Sequence, residues 1–255
     1  MENKEKILVA LDVETAEKAR EIIEELRGEV GAFKIGLQLF TAAGASFVRD
    51  LVKSDVKIFL DVKFHDIPNT VAKAAIEAAR IGVWMFNVHA SGGAEMMRKT
   101  IESVREFCGR ENLQQPKIIG VTVLTSSNQA TLFEVGVKDD LNSQVLNLAR
   151  LTAKCGLDGV VASPLEIGTI RSGVENKDFL IVTPGIRNAK PEPESRNPNA
   201  ASRVETYEDQ KRVMTAGEAI MAGADFLVIG RPILQTANKV TAVREILAEI
   251  QAAKK

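Results

Sequence analysis

Eight short, apolar, largely β-branched runs recur along this 255-residue chain, with amphipathic stretches between them. The runs are 7–11, 33–35, 56–60, 83–88, 118–124, 159–162, 179–183 and 226–229. A continuous apolar run suits a parallel strand buried on both faces. Between runs the period changes to that of a helix. In 15–26, Ala16, Ala19, Ile22, Ile23 and Leu26 share one face, while Glu17, Lys18, Arg20, Glu21, Glu24 and Glu25 share the other. Segments 69–80, 94–107, 141–155, 215–222 and 242–253 repeat that pattern. Strict alternation of β and α elements implies a parallel sheet with right-handed crossovers. Eight such units in a chain of this length predict an α/β fold, a (β/α)8 TIM barrel forming one domain over 1–255. An open doubly wound sheet is the rival. It calls for a GxGxxG turn after the first strand, and the chain there reads Leu11-Asp12-Val13-Glu14-Thr15.

The rhythm breaks once. Residues 188–209 are polar, hold Pro191, Pro193 and Pro198, and have no helical face. A connection this long predicts a lid loop between the seventh and eighth strands.

Charge narrows the function classes. Lys and Arg number 33 against 34 Asp and Glu, a net charge of -1, so the basic excess that nucleic-acid binding calls for is missing. No apolar run approaches the roughly 18 residues of a membrane span. The charged start predicts no signal peptide. Cys108 and Cys155 form no CxxC pair and read as buried, reduced thiols of a cytoplasmic protein. With only His65 and His89, a multi-histidine metal site is excluded.

In a barrel the working residues sit at the C-terminal ends of the strands. Those ends carry Asp12, Lys34, Asp61 and Lys63, with Asp66 in the loop beyond. Asp61 and Lys63 are two apart on a strand and point the same way. Asn69 or Thr70 is the expected N-cap of the next helix. A lone Asp–Lys pair reads as a solvated loop salt bridge. Two lysines and three aspartates from three strands read instead as a functional cluster, because buried charge is costly unless paired. Flanking carboxylates favour the ammonium form of Lys63. That opposes a Schiff-base lysine and suits a proton donor, or a cation facing developing negative charge. At the other side of the mouth, Pro184-Gly185-Ile186-Arg187 and Gly230-Arg231-Pro232 follow strands seven and eight. Glycine lets backbone N–H groups approach an anion, and arginine adds charge and a donor fork. The expected substrate carries a phosphate there and its reacting centre near Lys63.

These residues, in order, resemble the orotidine 5′-phosphate decarboxylase family. The resemblance covers almost the whole chain. It rests on Ala10-Leu11-Asp12, Phe33-Lys34-Ile35-Gly36, the specific block FLDVKFHDIPNT at 59–70, and Asn87 to Gly93. Further blocks are Val121 to Ser126, Val182 to Arg187, Asp209-Gln210-Lys211-Arg212 and Ile229 to Pro232. It implies a barrel without cofactor or metal that converts orotidine 5′-phosphate to UMP and CO2, the last step of UMP synthesis. The implied catalytic network is Lys34, Asp61, Lys63 and Asp66, with Lys63 as proton donor. Asp12 and Lys34 resemble the ribose contacts, and Thr125 and Ser126 those of the pyrimidine. Gln210 resembles the residue that bridges base and phosphate, and Pro184, Arg187, Gly230 and Arg231 the phosphate grip. Asp66, Ile67 and Thr70 resemble residues that enter the partner's site, which implies a homodimer with shared active sites. The segment between Arg187 and Gln210 is longer than expected for bacterial members. The nearest rival is 3-keto-L-gulonate 6-phosphate decarboxylase, a similar barrel with the Asp-x-Lys-x-x-Asp pattern that uses magnesium. The Leu-Thr-Ser and Asp-Gln segments favour the nucleotide enzyme. A phosphate-binding barrel without catalysis is a third reading, and the crowded carboxylates argue against it.

Overall fold

Side-chain alternation along eight short strands builds the molecule, a computed structural model that describes residues 2–187 and 213–254. The first half runs β1 (Ile7–Ala10), α1 (Ala16–Leu26), β2 (Ala32–Gly36), α2 (Leu37–Lys53), β3 (Ile58–Phe64), α3 (Pro68–Ile81), β4 (Met85–His89) and α4 (Gly93–Glu111). The second half runs β5 (Lys117–Val121), α5 (Gln129–Glu134), α6 (Leu141–Lys154), β6 (Gly159–Val161), α7 (Ile167–Gly173), β7 (Leu180–Thr183), α8 (Ala216–Ala222), β8 (Phe226–Ile229), α9 (Arg231–Leu234) and α10 (Lys239–Ala253). The strands pair in chain order, and β1 also pairs with β8, so the sheet closes. Every pairing is parallel. This is the expected (β/α)8 barrel. The expected lid at 188–209, and Gln210 with it, lie outside the described residues.

Two apolar layers follow from period two in the strands. Leu8, Ala10, Ala32, Phe59, Met85, Ile119, Val182, Phe226 and Val228 fill the barrel interior. Residues of opposite parity, such as Ile7, Val9, Phe33, Ile35, Ile58 and Leu60, pack outward against the helices. Ala19, Ile22, Ile23 and Leu26 meet them from α1, the face read from its periodicity. Fully burying a large apolar side chain contributes about 1.5–3 kcal/mol, so this double layer is the main source of stability.

The N-terminal end of the barrel is tied by carboxylates. Asp158 Oδ2 accepts the Ile118 N–H at 2.7 Å, and Asp225 Oδ2 accepts the Ile181 N–H at 2.7 Å. Arg171 donates to Asp225 and to the carbonyls of Gly223 and Phe179. These charges join strand ends to one another and leave the opposite mouth for chemistry.

Several details differ from expectation. α3 starts at Pro68, with Ile67 rather than Asn69 or Thr70 as its N-cap residue. The fixed φ of proline suits a first helical turn, and Asp66 Oδ1 accepts the Ile67 N–H at 2.6 Å just before it. α2, α5 and α7 have no counterpart in the periodicity. In α2 the reason is Gly44, whose φ of 74° breaks the helix and shifts its face. β3 continues to Phe64, past the apolar run, and carries Asp61 and Lys63 within the strand.

Candidate active site

The interior parity that builds the core also selects the mouth. Above Ala32 comes Lys34, above Phe59 come Asp61 and Lys63, above Met85 come Asn87 and His89, and above Val228 comes Gly230. These side chains therefore converge where the sheet ends.

Asp61 sits between two ammonium groups. Its Oδ1 accepts from Lys63 Nζ at 2.6 Å, and its Oδ2 lies 3.5 Å from Lys34 Nζ. Lys34 also donates to Asp12 Oδ1 at 3.0 Å. The Lys34 side chain is 9 % exposed and Asp61 15 %, against 63 % for Asp12. Gly36 leaves room for this packing, since a Cβ there would stand 3.0 Å from Lys34 Nζ. The network is thus nearly dry at its base and wet at its rim, so its inner pairs interact more strongly than surface pairs.

Lys63 has an unusual backbone, with φ at 53°. β3 loses register with β4 between Leu60 and Phe64, the local signature of a bulge. A left-handed non-glycine residue costs roughly 1–2 kcal/mol. Its N–H is received by Asn87 Oδ1 at 2.8 Å, and Asn87 Nδ2 donates to Asp61 Oδ1 at 2.7 Å.

These charges form one wall of a cavity of about 210 Å³. Leu124 and Thr125 beyond β5, and Pro184, Gly185, Arg187, Gly230 and Arg231 beyond β7 and β8, complete the lining, with Gly230 next to Asp12. Gly185 has φ at 83°, a conformation glycine adopts without strain. Ile186 pairs with Met214, which brings the described residues on either side of 188–212 together. Pro232 is the second residue of the short α9.

Not every expected site residue meets this cavity. Ser126 is exposed and does not line it. Asp66, Ile67 and Thr70 are exposed on the loop and the start of α3, also outside its lining. Ile67 is 67 % exposed, unusual for a large apolar side chain. Asn87 carried no individual role in the sequence reading. Its signal is a single amide inside the apolar run Met85-Phe86-Asn87-Val88, on interior parity.

Behind Lys63 the rings of His65 and His89 lie 5.3 Å apart. Burial, then the neighbouring His65 and Lys63, push the His89 imidazole below its ordinary range, with Asp61 opposing. Trp84 packs edge-on against Phe226, and Met96 and Met97 are buried. Among the described residues, no group of three or more His, Cys, Asp or Glu is placed to hold a metal ion.

The model of the "Orotidine 5′-phosphate decarboxylase / HUMPS family" matches residues 5–246. The chain belongs to this family. Orotidine 5′-phosphate decarboxylase of Syntrophotalea carbinolica is 50 % identical over 253 residues, covering 99 % of this chain and 98 % of that protein. The enzyme of the same name from Geotalea daltonii is 48 % identical over 252 residues, covering 98 % of each. Among solved structures, orotidine 5′-phosphate decarboxylase from Lactobacillus acidophilus matches with a TM-score of 0.79 and 32 % identity, over 96 % of this chain and 98 % of that one. Family members of this kind thus share the whole length of the barrel with this chain.

Proposed function

We propose that this barrel decarboxylates orotidine 5′-phosphate to UMP and CO2 without metal or organic cofactor. The observation that carries the reading is the Lys34–Asp61–Lys63 array on one wall of a cavity whose lining also holds Arg187, Gly230 and Arg231. A nucleotide phosphate bound by those arginines sets its pyrimidine toward Lys63. Asp12 and Lys34 hold the ribose, with Thr125 on the base.

The bond between C6 and the carboxylate carbon breaks, and its electron pair stays on C6. That carbanion has little delocalisation. A preorganised ammonium beside it stabilises the charge in a site where water is scarce. Lys63 Nζ then gives a proton to C6, and solvent restores the lysine. Asp61 fixes the direction of Nζ and stands near the departing carboxylate, where like-charge stress is a second, smaller contribution. Binding the distant phosphate supplies energy for orienting the reacting end.

Asp66, Ile67 and Thr70, exposed and outside this chain's own cavity, complete the site of a second copy in a C2 dimer. A small-molecule substrate, with no nucleic acid or membrane partner, suits the balanced charge. None of the described helices is long and apolar enough to cross a membrane. Cytoplasmic action is supported by two buried, unpaired cysteines.

The test is to mix purified protein with orotidine 5′-phosphate in the presence of a chelator and follow the ultraviolet change, UMP and CO2. Equal yields of UMP and CO2 are expected. No UMP overturns the reading. Turnover of orotidine 5′-phosphate that disappears with the chelator overturns the metal-free part of the reading.

A further inference from the structure

The charged pair at the centre of the site is gripped from behind by a neutral residue. Asn87 lies in the middle of β4 and is fully buried. Its Nδ2 donates to Asp61 Oδ1 at 2.7 Å, the same oxygen that accepts from Lys63 Nζ at 2.6 Å. Its Oδ1 accepts the Lys63 backbone N–H at 2.8 Å. The orientation of the amide follows from chemistry, because an ionised carboxylate only accepts and a backbone N–H only donates. One carboxamide therefore touches both members of the Asp61–Lys63 unit, one by its side chain and the other by its backbone.

The second contact falls at a weak point of the sheet. β3 and β4 lose register between Leu60 and Phe64, and Lys63 takes a positive φ there. Such a conformation persists only where the surroundings hold it. Ladder hydrogen bonding is interrupted at the bulge, and the Asn87 side chain takes the place of a strand partner for the Lys63 N–H. Leucine at 87 would offer neither donor nor acceptor. Aspartate would offer the acceptor, and a donor only when protonated.

We propose that Asn87 is a positioning residue for the decarboxylation, aiming Lys63 Nζ by holding Asp61 on one side and the strained Lys63 backbone on the other. The inference rests on the proposed function, since it acts through the proton donor named there. Asn87 itself does not line the cavity.

The test compares Asn87→Leu and Asn87→Asp with the wild type, measuring kcat for orotidine 5′-phosphate and Kd for UMP across about pH 5 to about pH 8. Asn87→Leu is expected to lower kcat about 100-fold, the effect of misplacing a catalytic group by about 1 Å. UMP affinity should stay within about threefold, because its proposed phosphate contacts lie beyond β7 and β8. Asn87→Asp places a second carboxylate against Asp61. Like charge raises the affinity of the pair for a proton. Protonated, the new side chain donates to Asp61 as asparagine does; ionised, it repels Asp61. The ratio of Asn87→Asp to wild-type kcat should therefore fall as pH rises. Taking the ratio removes titrations common to both proteins, such as those of Lys34 on β2, Asp12 beyond β1, His89 on β4 and His65 in the loop after β3, and leaves the coupled pair of Asp61 and the new carboxylate, with Lys63 against it, as the signal.

Wild-type kcat in Asn87→Leu, equal loss of kcat and UMP affinity, or an Asn87→Asp ratio flat with pH would each overturn the inference. If the wild type itself forms no UMP, the proposed function fails and this inference with it. Wild-type turnover separates the two failures.

Discussion

Replacing Asp61 by asparagine leaves two ammonium groups at one barrel mouth without the carboxylate between them. At an effective dielectric near 20, unit charges at the 2.6 Å of the Lys63 contact attract by about 6 kcal/mol, and at the 3.5 Å of the Lys34 contact by about 5 kcal/mol. Most of that gross attraction is offset by desolvation, which costs several kcal/mol per ion. Removing Asp61 is asymmetric, because Lys63 stays behind without its carboxylate while Lys34 keeps only the exposed Asp12 at 3.0 Å. The expected net loss is about 3–5 kcal/mol. For a chain of this size each kcal/mol shifts Tm by about 2–4 °C, so Asp61→Asn should melt about 10 °C below the wild type. Circular dichroism melts of the ligand-free proteins read this directly. Repeating them in about 1 M NaCl adds a control, since salt screens exposed pairs far more than buried ones. With Lys34 and Asp61 side chains only 9 % and 15 % exposed, most of the gap should survive. A melt within about 2 °C of the wild type would refute the reasoning, because attraction and desolvation would then cancel at Asp61. A gap that vanishes in salt would refute the claim that the network is dry at its base.

Arg231→Ala removes a charged donor from the cavity lining beyond β8, where the proposed function puts the phosphate. At about 1.5–3 kcal/mol for a hydrogen bond to a charged group, KM for orotidine 5′-phosphate should rise about 10- to 150-fold; unchanged kinetics would clear Arg231 of phosphate contact. His89 resists protonation in the folded protein because of burial and its cationic neighbours. The unfolded chain takes up that proton as pH drops below about 6.5, so this contribution to stability is intact above that value and is lost toward the lower folded one. The Tm advantage of wild type over His89→Gln should therefore shrink from about pH 7.5 to about pH 5, and a constant gap would contradict it.

The barrel was legible because each of its strands contains a short, mostly apolar run, and eight of them alternate with helices in this length. The charged mouth was legible for a related reason. Lys34, Asp61 and Lys63 interrupt or end apolar strands, where an unpaired charge would be too costly to keep. α2 was hidden by Gly44, which divides its periodicity between two helical pieces. The N-cap of α3 was misplaced because Asn69 and Thr70 are good capping residues, yet Pro68 begins the helix before them. Asn87 was hidden for the opposite reason to Lys63. A neutral amide in a buried strand looks like a satisfied core residue until its two partners are seen. Asp66, Ile67 and Thr70 carry a family signal that one chain's cavity does not express.

Lys63→Met tests the account most directly. Methionine keeps an unbranched apolar stem only one atom shorter and removes the ammonium. Single-turnover decarboxylation of orotidine 5′-phosphate, measured with UMP affinity on the same preparation, should lose nearly all rate while UMP still binds. Near-normal decarboxylation by the folded variant would contradict the claim that this ammonium stabilises the C6 electron pair and protonates it.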